Sequence, residues 1–180
     1  MSKLVQMVYI SRATFPATSH GGEIVPEVSK ILRKSRINNR EKNIVGALYF
    51  GNGFFFQCLE GDEKELLALY ETLKNDPRHN DLRIISMKPI DARSFGEWEM
   101  KYLPAEAEVQ KLLRSFGMAA FDPYRFDEAM TVKMLGMLAN GPDLQEELQV
   151  TEPDSCAVWK LSTAVLALLL FADIVWRVLS

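Results

Sequence analysis

The chain of 180 residues predicts an α+β fold, a sheet flanked by helices in the order strand, helix, strand, strand, helix, strand, with a short fifth strand. Three observations carry this expectation. Short runs of β-branched and aromatic residues alternate with amphipathic stretches of helical period up to residue 102. Gly51-Asn52-Gly53 separates two of those runs at hairpin spacing. Beyond residue 104 the strand signal gives way to helical patterning. The order β-α-β-β-α-β(β) is the ferredoxin-like arrangement, here followed by C-terminal helices.

Residues 4–11, LVQMVYIS, read as a buried strand. A loop over 12–22 contains Pro16 and Gly21-Gly22. Pro26 suits a first helical turn, where its missing N–H is not needed. Val28, Ile31, Leu32 and Ser35 then recur at helical spacing, and the helix should end near Asn38-Asn39. Residues 44–50 and 54–60 form the two arms of the hairpin. Asp62, three residues before Glu65, matches a reciprocal helix-capping pattern. Leu66, Leu69, Tyr70 and Leu73 make that helix amphipathic, and Asn75-Asp76-Pro77 stops it. Strands are expected over 82–87 and 98–102, then helices over 105–116, 124–140 and about 155–179. This divides the chain into a sheet domain (1–103), a helical extension packing on the sheet (104–150) and an apolar C-terminal helix (151–180), with the acidic stretch 141–154 as linker.

Composition excludes several function classes. The balance is 21 basic against 24 acidic residues, a net charge of −3, which gives no electrostatic case for nucleic-acid wrapping or a polybasic membrane contact. Cys58 and Cys156 cannot build a disulfide framework, and with His20 and His79 they lack metal-ligand spacing, so no metal is expected. No phosphate-cradling loop, dinucleotide fingerprint or serine elbow is present. The N-terminus lacks a secretory apolar core, so the expected location is the cytoplasm. Residues 161–179 are apolar on nearly every face, with Asp173 and Arg177 as the charges that interrupt them. That helix is expected to bury itself against the sheet or a second subunit; the alternative is an anchor holding the protein on the cytoplasmic face of a membrane.

The unusual feature is polar residues inside apolar strands. Strand alternation puts Gln57 on one face with Phe55 and Leu59, and Phe54, Phe56 and Cys58 on the other. In the first strand Tyr9 and Ser11 share a face with Val5 and Met7. If the two strands are neighbours, a phenol and a primary amide meet in the core, and the amide must satisfy both its donors and its acceptor. On these residues alone a purely structural Gln–Tyr hydrogen bond is the plainer reading. Phe54, Phe56 and Cys58 would seat the C-terminal helices.

Six fragments nevertheless occur in a telling order: Val8-Tyr9-Ile10-Ser11, Ser35-Arg36-Ile37-Asn38-Asn39, Val45-Gly46-Ala47-Leu48, Phe55-Phe56-Gln57-Cys58-Leu59-Glu60-Gly61, Asp76-Pro77-Arg78-His79 and Phe95-Gly96-Glu97-Trp98-Glu99-Met100. With these the chain, from Leu4 to about Met100, resembles the BLUF domain, the sensor of blue light using flavin adenine dinucleotide. The segment near 14–23 is longer than in compact members, which implies a surface loop.

The resemblance implies FAD as cofactor and a photoreceptor rather than an enzyme. Tyr9 would be the electron and proton donor, and Gln57 would bridge its hydroxyl to the flavin. Asn39 would hydrogen-bond the pyrimidine carbonyl side, with Asn38 the second candidate. Ile31 and Leu73 would sandwich the ring, and Arg78 and His79 would line the pocket. Trp98 and Met100 would respond to the switch on the fifth strand, and Ser11 would sit close to the tyrosine. The output would pass to a downstream protein or through a homo-oligomer. Two alternatives share parts of the pattern. The same topology serves RNA-recognition modules, and Asn52-Gly53-Phe54-Phe55-Phe56 is similar to their aromatic signature, but the basic residue before the glycine is absent and the net charge is negative. A flavin enzyme would need a substrate pocket that no residue set suggests.

Overall fold

A computed structural model describes residues 3–16, 24–96, 100–103 and 106–141. Within them run β1 (Leu4–Ala13), α1 (Pro26–Glu41), β2 (Val45–Gly51), β3 (Phe54–Asp62), α2 (Glu63–Lys74), β4 (His79–Pro89), β5 (Lys101–Tyr102), α3 (Glu106–Ser115) and α4 (Glu128–Asn140). The five strands lie in the order β4-β1-β3-β2-β5. The three pairings among the first four strands are antiparallel, and β5 joins β2 in parallel through Ala47–Lys101 and Leu48–Tyr102. This is the α+β, ferredoxin-like sheet expected from the order of the elements.

Local chemistry explains most boundaries. Asn52 (φ 50°) and Gly53 (φ 76°) both adopt the left-handed conformation, so the hairpin turn has two residues and Gly51 stays in β2 opposite Phe54. The Asp62 side chain caps α2 by accepting the Lys64 N–H at 3.0 Å. Glu65 faces Lys42 at 3.8 Å instead of completing the reciprocal cap. Pro123–Arg125 is a 3-10 turn, and α4 starts anew where Asp127 accepts the Met130 N–H at 2.7 Å. The single helix expected over 124–140 is therefore two elements. Helix α1 runs past Asn38-Asn39 to Glu41. Strand β4 begins three residues earlier than expected because the long β1 pairs with it as far as Ala13–His79. Residues 97–99 and 142–180 lie outside the described residues, and with them Trp98 and the apolar stretch 161–179. Among the described residues no helix is long and apolar enough to cross a membrane.

Strand alternation sorts the sheet into two cores. On one face Val5, Met7, Tyr9, Leu48, Phe55, Leu59 and Met100 pack against Val28, Ile31 and Leu32 of α1 and Leu66 of α2. On the other, Val8, Ile10, Ala47, Phe56 and Cys58 meet Val109 and Leu113 of α3 and Met130, Met134 and Leu138 of α4. Each such burial contributes ~1.5–3 kcal/mol, so both helical layers are firmly driven onto the sheet. Between β2 and β3 there is no room for a side chain at Gly46, where a Cβ would stand 2.2 Å from the Cys58 carbonyl oxygen.

Candidate functional site

The β1–β3 register places Tyr9 directly opposite Gln57 on the face covered by α1 and α2. Their exposures are 1% and 3%, so neither polar group can turn to water. The Tyr9 hydroxyl donates to Gln57 Oε1. Gln57 Nε2 in turn lies 3.2 Å from the Met100 sulfur, a weak acceptor. The amide thus has its carbonyl engaged by β1 and its NH2 by the residue just before β5. Arg36 of α1 fixes that residue from outside, its Nε donating to the Met100 carbonyl at 2.9 Å.

A second pair sits two residues along β1. Buried Ser11 Oγ is 2.8 Å from His79 Nδ1, and the His79 ring packs on Phe55 with centroids 4.7 Å apart. Burial pulls the His79 pKa down to about 4, reinforced by the Arg78 charge and opposed by Asp76. Burial, with the Asp76 charge adding to it, pushes the Tyr9 phenol well above its ordinary value. Both groups are neutral at pH 7, so Gln57 lies beside an uncharged phenol.

This has a consequence for stability. The unfolded imidazole takes up its proton near pH 6.5, whereas the folded one resists until about pH 4. Stability from this group is complete above pH 6.5 and falls as the pH drops towards 4, by roughly 3 kcal/mol. Urea midpoints compared at pH 7 and pH 4.5 should show the drop, and His79→Gln should flatten it. An equal drop in the variant would assign the pH dependence elsewhere.

The other expected residues are distributed as follows. Ile31 is buried in α1 and Leu73 half-buried in α2, both in the apolar cluster that contains Tyr9. Asn39 is buried and Asn38 half-buried in the last turns of α1. The Asn39 carbonyl accepts the Ile44 N–H at 2.9 Å and so sets the entry into β2. Arg78 is folded back on Asp76, Nε and Nη2 donating at 2.9 and 2.5 Å, and this pairing holds the Asp76 carboxyl down to about 2. Tyr70 was not singled out as a site residue. Its ring stands edge-on to Tyr9 at 6.4 Å, and its hydroxyl donates to the Leu82 carbonyl at 3.2 Å. A phenol within an otherwise aliphatic helix face was the available signal, since a buried hydroxyl requires a partner.

Comparison with known proteins identifies the family. Residues 4–101 match the BLUF family, sensors of blue-light using FAD. The photoactivated adenylate cyclase subunit beta of Euglena longa is 35% identical over 125 residues, which is 64% of this chain and 14% of that protein. Its counterpart in Euglena gracilis is 32% identical over 101 residues, 56% of this chain and 11% of that protein. The chain therefore spans a small fraction of the length of these relatives. Among solved structures, the ground state of BlsA superposes with a TM-score of 0.69 at 26% identity, covering 78% of this chain and 90% of that one. The dark state of BlrB, also a BLUF protein, gives 0.62 at 25% identity, covering 77% and 97%. With a family match over more than half its length and a sheet that superposes on those of BLUF proteins, the protein belongs to the BLUF family of flavin-binding blue-light sensors.

Proposed function

We propose that this protein is a cytoplasmic blue-light photoreceptor, not an enzyme, that binds FAD without a covalent bond and signals by rearranging the Tyr9–Gln57 hydrogen bond. The observation that carries this is the buried Tyr9 hydroxyl donating to Gln57 Oε1 while Gln57 Nε2 reaches Met100. The residues present suit a flavin: apolar side chains from two helices, Ile31 and Leu73 among them, share a cluster with Tyr9, and Gln57, buried Asn39 and His79 supply polar groups. Asn38 and Arg78 are the further candidates for holding it. Once bound and excited by blue light, a flavin supplies a strong oxidant.

Tyr9 is the group placed to be oxidised. Burial keeps it as the neutral phenol, and its proton already points at Gln57 Oε1. Gln57 can exchange its carbonyl and NH2 ends with almost no change in volume, which neither Leu nor an ionised Glu can do. The exchange would alter the contact to Met100, and with it Trp98 and β5. The C-terminal helices on the opposite face would then pass the change to a partner protein, or to a second copy of this chain.

The test is the visible spectrum of the purified, flavin-loaded protein in darkness and after blue light. A small red shift that recovers in the dark is expected, and Gln57→Leu should bind flavin yet lose the shift. A variant that kept the full shift would overturn the amide switch.

A further inference from the structure

We infer that Lys101 is a positioning residue that ties the photoactive pair to the end of α4, an inference that rests on the light-sensing reading above. The strand period of two separates the residues around β5 by face. Met100 and Tyr102 belong to the cluster of Tyr9, whereas Leu103 belongs to the cluster of α3 and α4. Lys101 follows the same alternation, for its Nζ donates to the Ala139 carbonyl at 3.3 Å. It does so at 7% exposure, unusual for an ammonium.

Its target is chemically apt. The last four carbonyls of a helix have no partner within the helix and carry the negative end of its dipole. Ala139 is the penultimate residue of α4, and a cation there both satisfies an orphan acceptor and opposes that dipole. A second contact holds the same place: a Cβ on Gly141, the C-cap of α4, would stand 2.4 Å from Leu103 Cδ1. The end of α4 is therefore held by Lys101 and by Leu103, on either side of Tyr102.

The opposite side of this short segment is held by the photoactive pair. Gln57 Nε2 contacts the Met100 sulfur, and Arg36 contacts the Met100 carbonyl, which belongs to the peptide unit shared with Lys101. Among the described residues the strand pairs with β2 at two positions, extended by the Leu103 N–H to the Leu48 carbonyl. A change of Gln57 partners at Met100 therefore reaches the Lys101 ammonium across one peptide. Lys101 converts it into a change in the capping of α4.

The experiment is amide hydrogen exchange of the flavin-loaded full chain, in darkness and under blue light, read at residues 136–141 alongside the visible spectrum. In the unsubstituted protein, light should change exchange at the end of α4. Lys101→Met should keep the red shift but lose that light-minus-dark difference, and Lys101→Arg, which retains a donating cation, should restore it. A merely structural role would not be rescued by charge in this way. Should Lys101→Met fail to fold, Gly141→Ala presses on the same contact from α4 and should also keep the shift and lose the difference. A full difference in Lys101→Met or, failing that variant, in Gly141→Ala overturns the inference, as does a red shift in the unsubstituted protein with no change in α4. Absence of the red shift itself would overturn the light-sensing reading and this inference with it, and the spectrum tells the two failures apart.

Discussion

Tyr9→Phe is expected to abolish the light-induced spectral shift while leaving the protein folded and flavin-bound. The substitution removes one oxygen and keeps the ring, so packing against Tyr70 and the cluster over α1 and α2 is preserved. What is lost is the hydroxyl that donates to Gln57 Oε1, the group proposed above as the proton and electron donor. A buried carbonyl left without its donor costs ~1–3 kcal/mol, so a modest fall in the unfolding midpoint should accompany the photochemical loss. The two losses are independent in origin and separately measurable. Gln57→Leu keeps the phenol but removes the amide, so both variants should be dark-like under illumination for different reasons. A full red shift in Tyr9→Phe would show that the phenol is a structural partner of Gln57 and nothing more.

The largest effect on stability is expected at a glycine. In Gly46→Ala the new methyl would meet the Cys58 carbonyl oxygen at 2.2 Å and the Leu59 Cα at 3.1 Å. Both obstacles are backbone, and neither can turn aside as a side-chain end could. Overpacking of this kind typically costs ~1–3 kcal/mol, and a clash with a neighbouring strand belongs at or above the upper end. The damage also reaches function, since β3 carries Gln57 and the β2–β3 register sets its depth. A urea titration should show the loss, together with weaker flavin retention. Gly136→Ala is the control: nothing lies within 4 Å of a Cβ there, and replacing a helical glycine should be neutral or add up to ~1 kcal/mol. An unchanged midpoint for Gly46→Ala would mean that β2 can slide on β3.

Much of this architecture was readable before the structure, and the reasons are local. Period-two alternation put Tyr9 and Gln57 on defined faces, and the glycine-rich turn fixed the β2–β3 hairpin. The same alternation named Phe56 and Cys58 as the floor for the C-terminal helices, and α3 and α4 pack there. Less legible were features that depend on partners distant in the chain. His79 follows Asp76-Pro77 and reads as part of a turn, yet it opens β4 because Ala13, 66 residues earlier, pairs with it. Arg36 on Met100 and Lys101 on Ala139 join segments that no local pattern links. The partner of β5 is hidden for the same reason: its neighbour is β2, about fifty residues back, and the two positions paired among the described residues leave no periodic trace. Helix α4 starts at Glu128 and not at 124 because Asp127 caps it, a signal that the adjoining Pro123–Arg125 turn obscures in the sequence.

The position of β1 governs how the chain comes to be folded. Although first in sequence, β1 lies inside the sheet between β3 and β4. During synthesis it must wait for residue 54 to find its first neighbour and for residue 79 to find its second. At ~5–20 residues per second that interval lasts seconds, far longer than the microseconds a hairpin such as β2–β3 needs to form. Until then Val5, Val8 and Ile10 are an unpaired apolar edge, open to chaperones or to the same segment of another nascent chain. Tyr9 meets Gln57 only when β1 is inserted, so their buried hydrogen bond is assembled by one of the slow, long-range steps of folding.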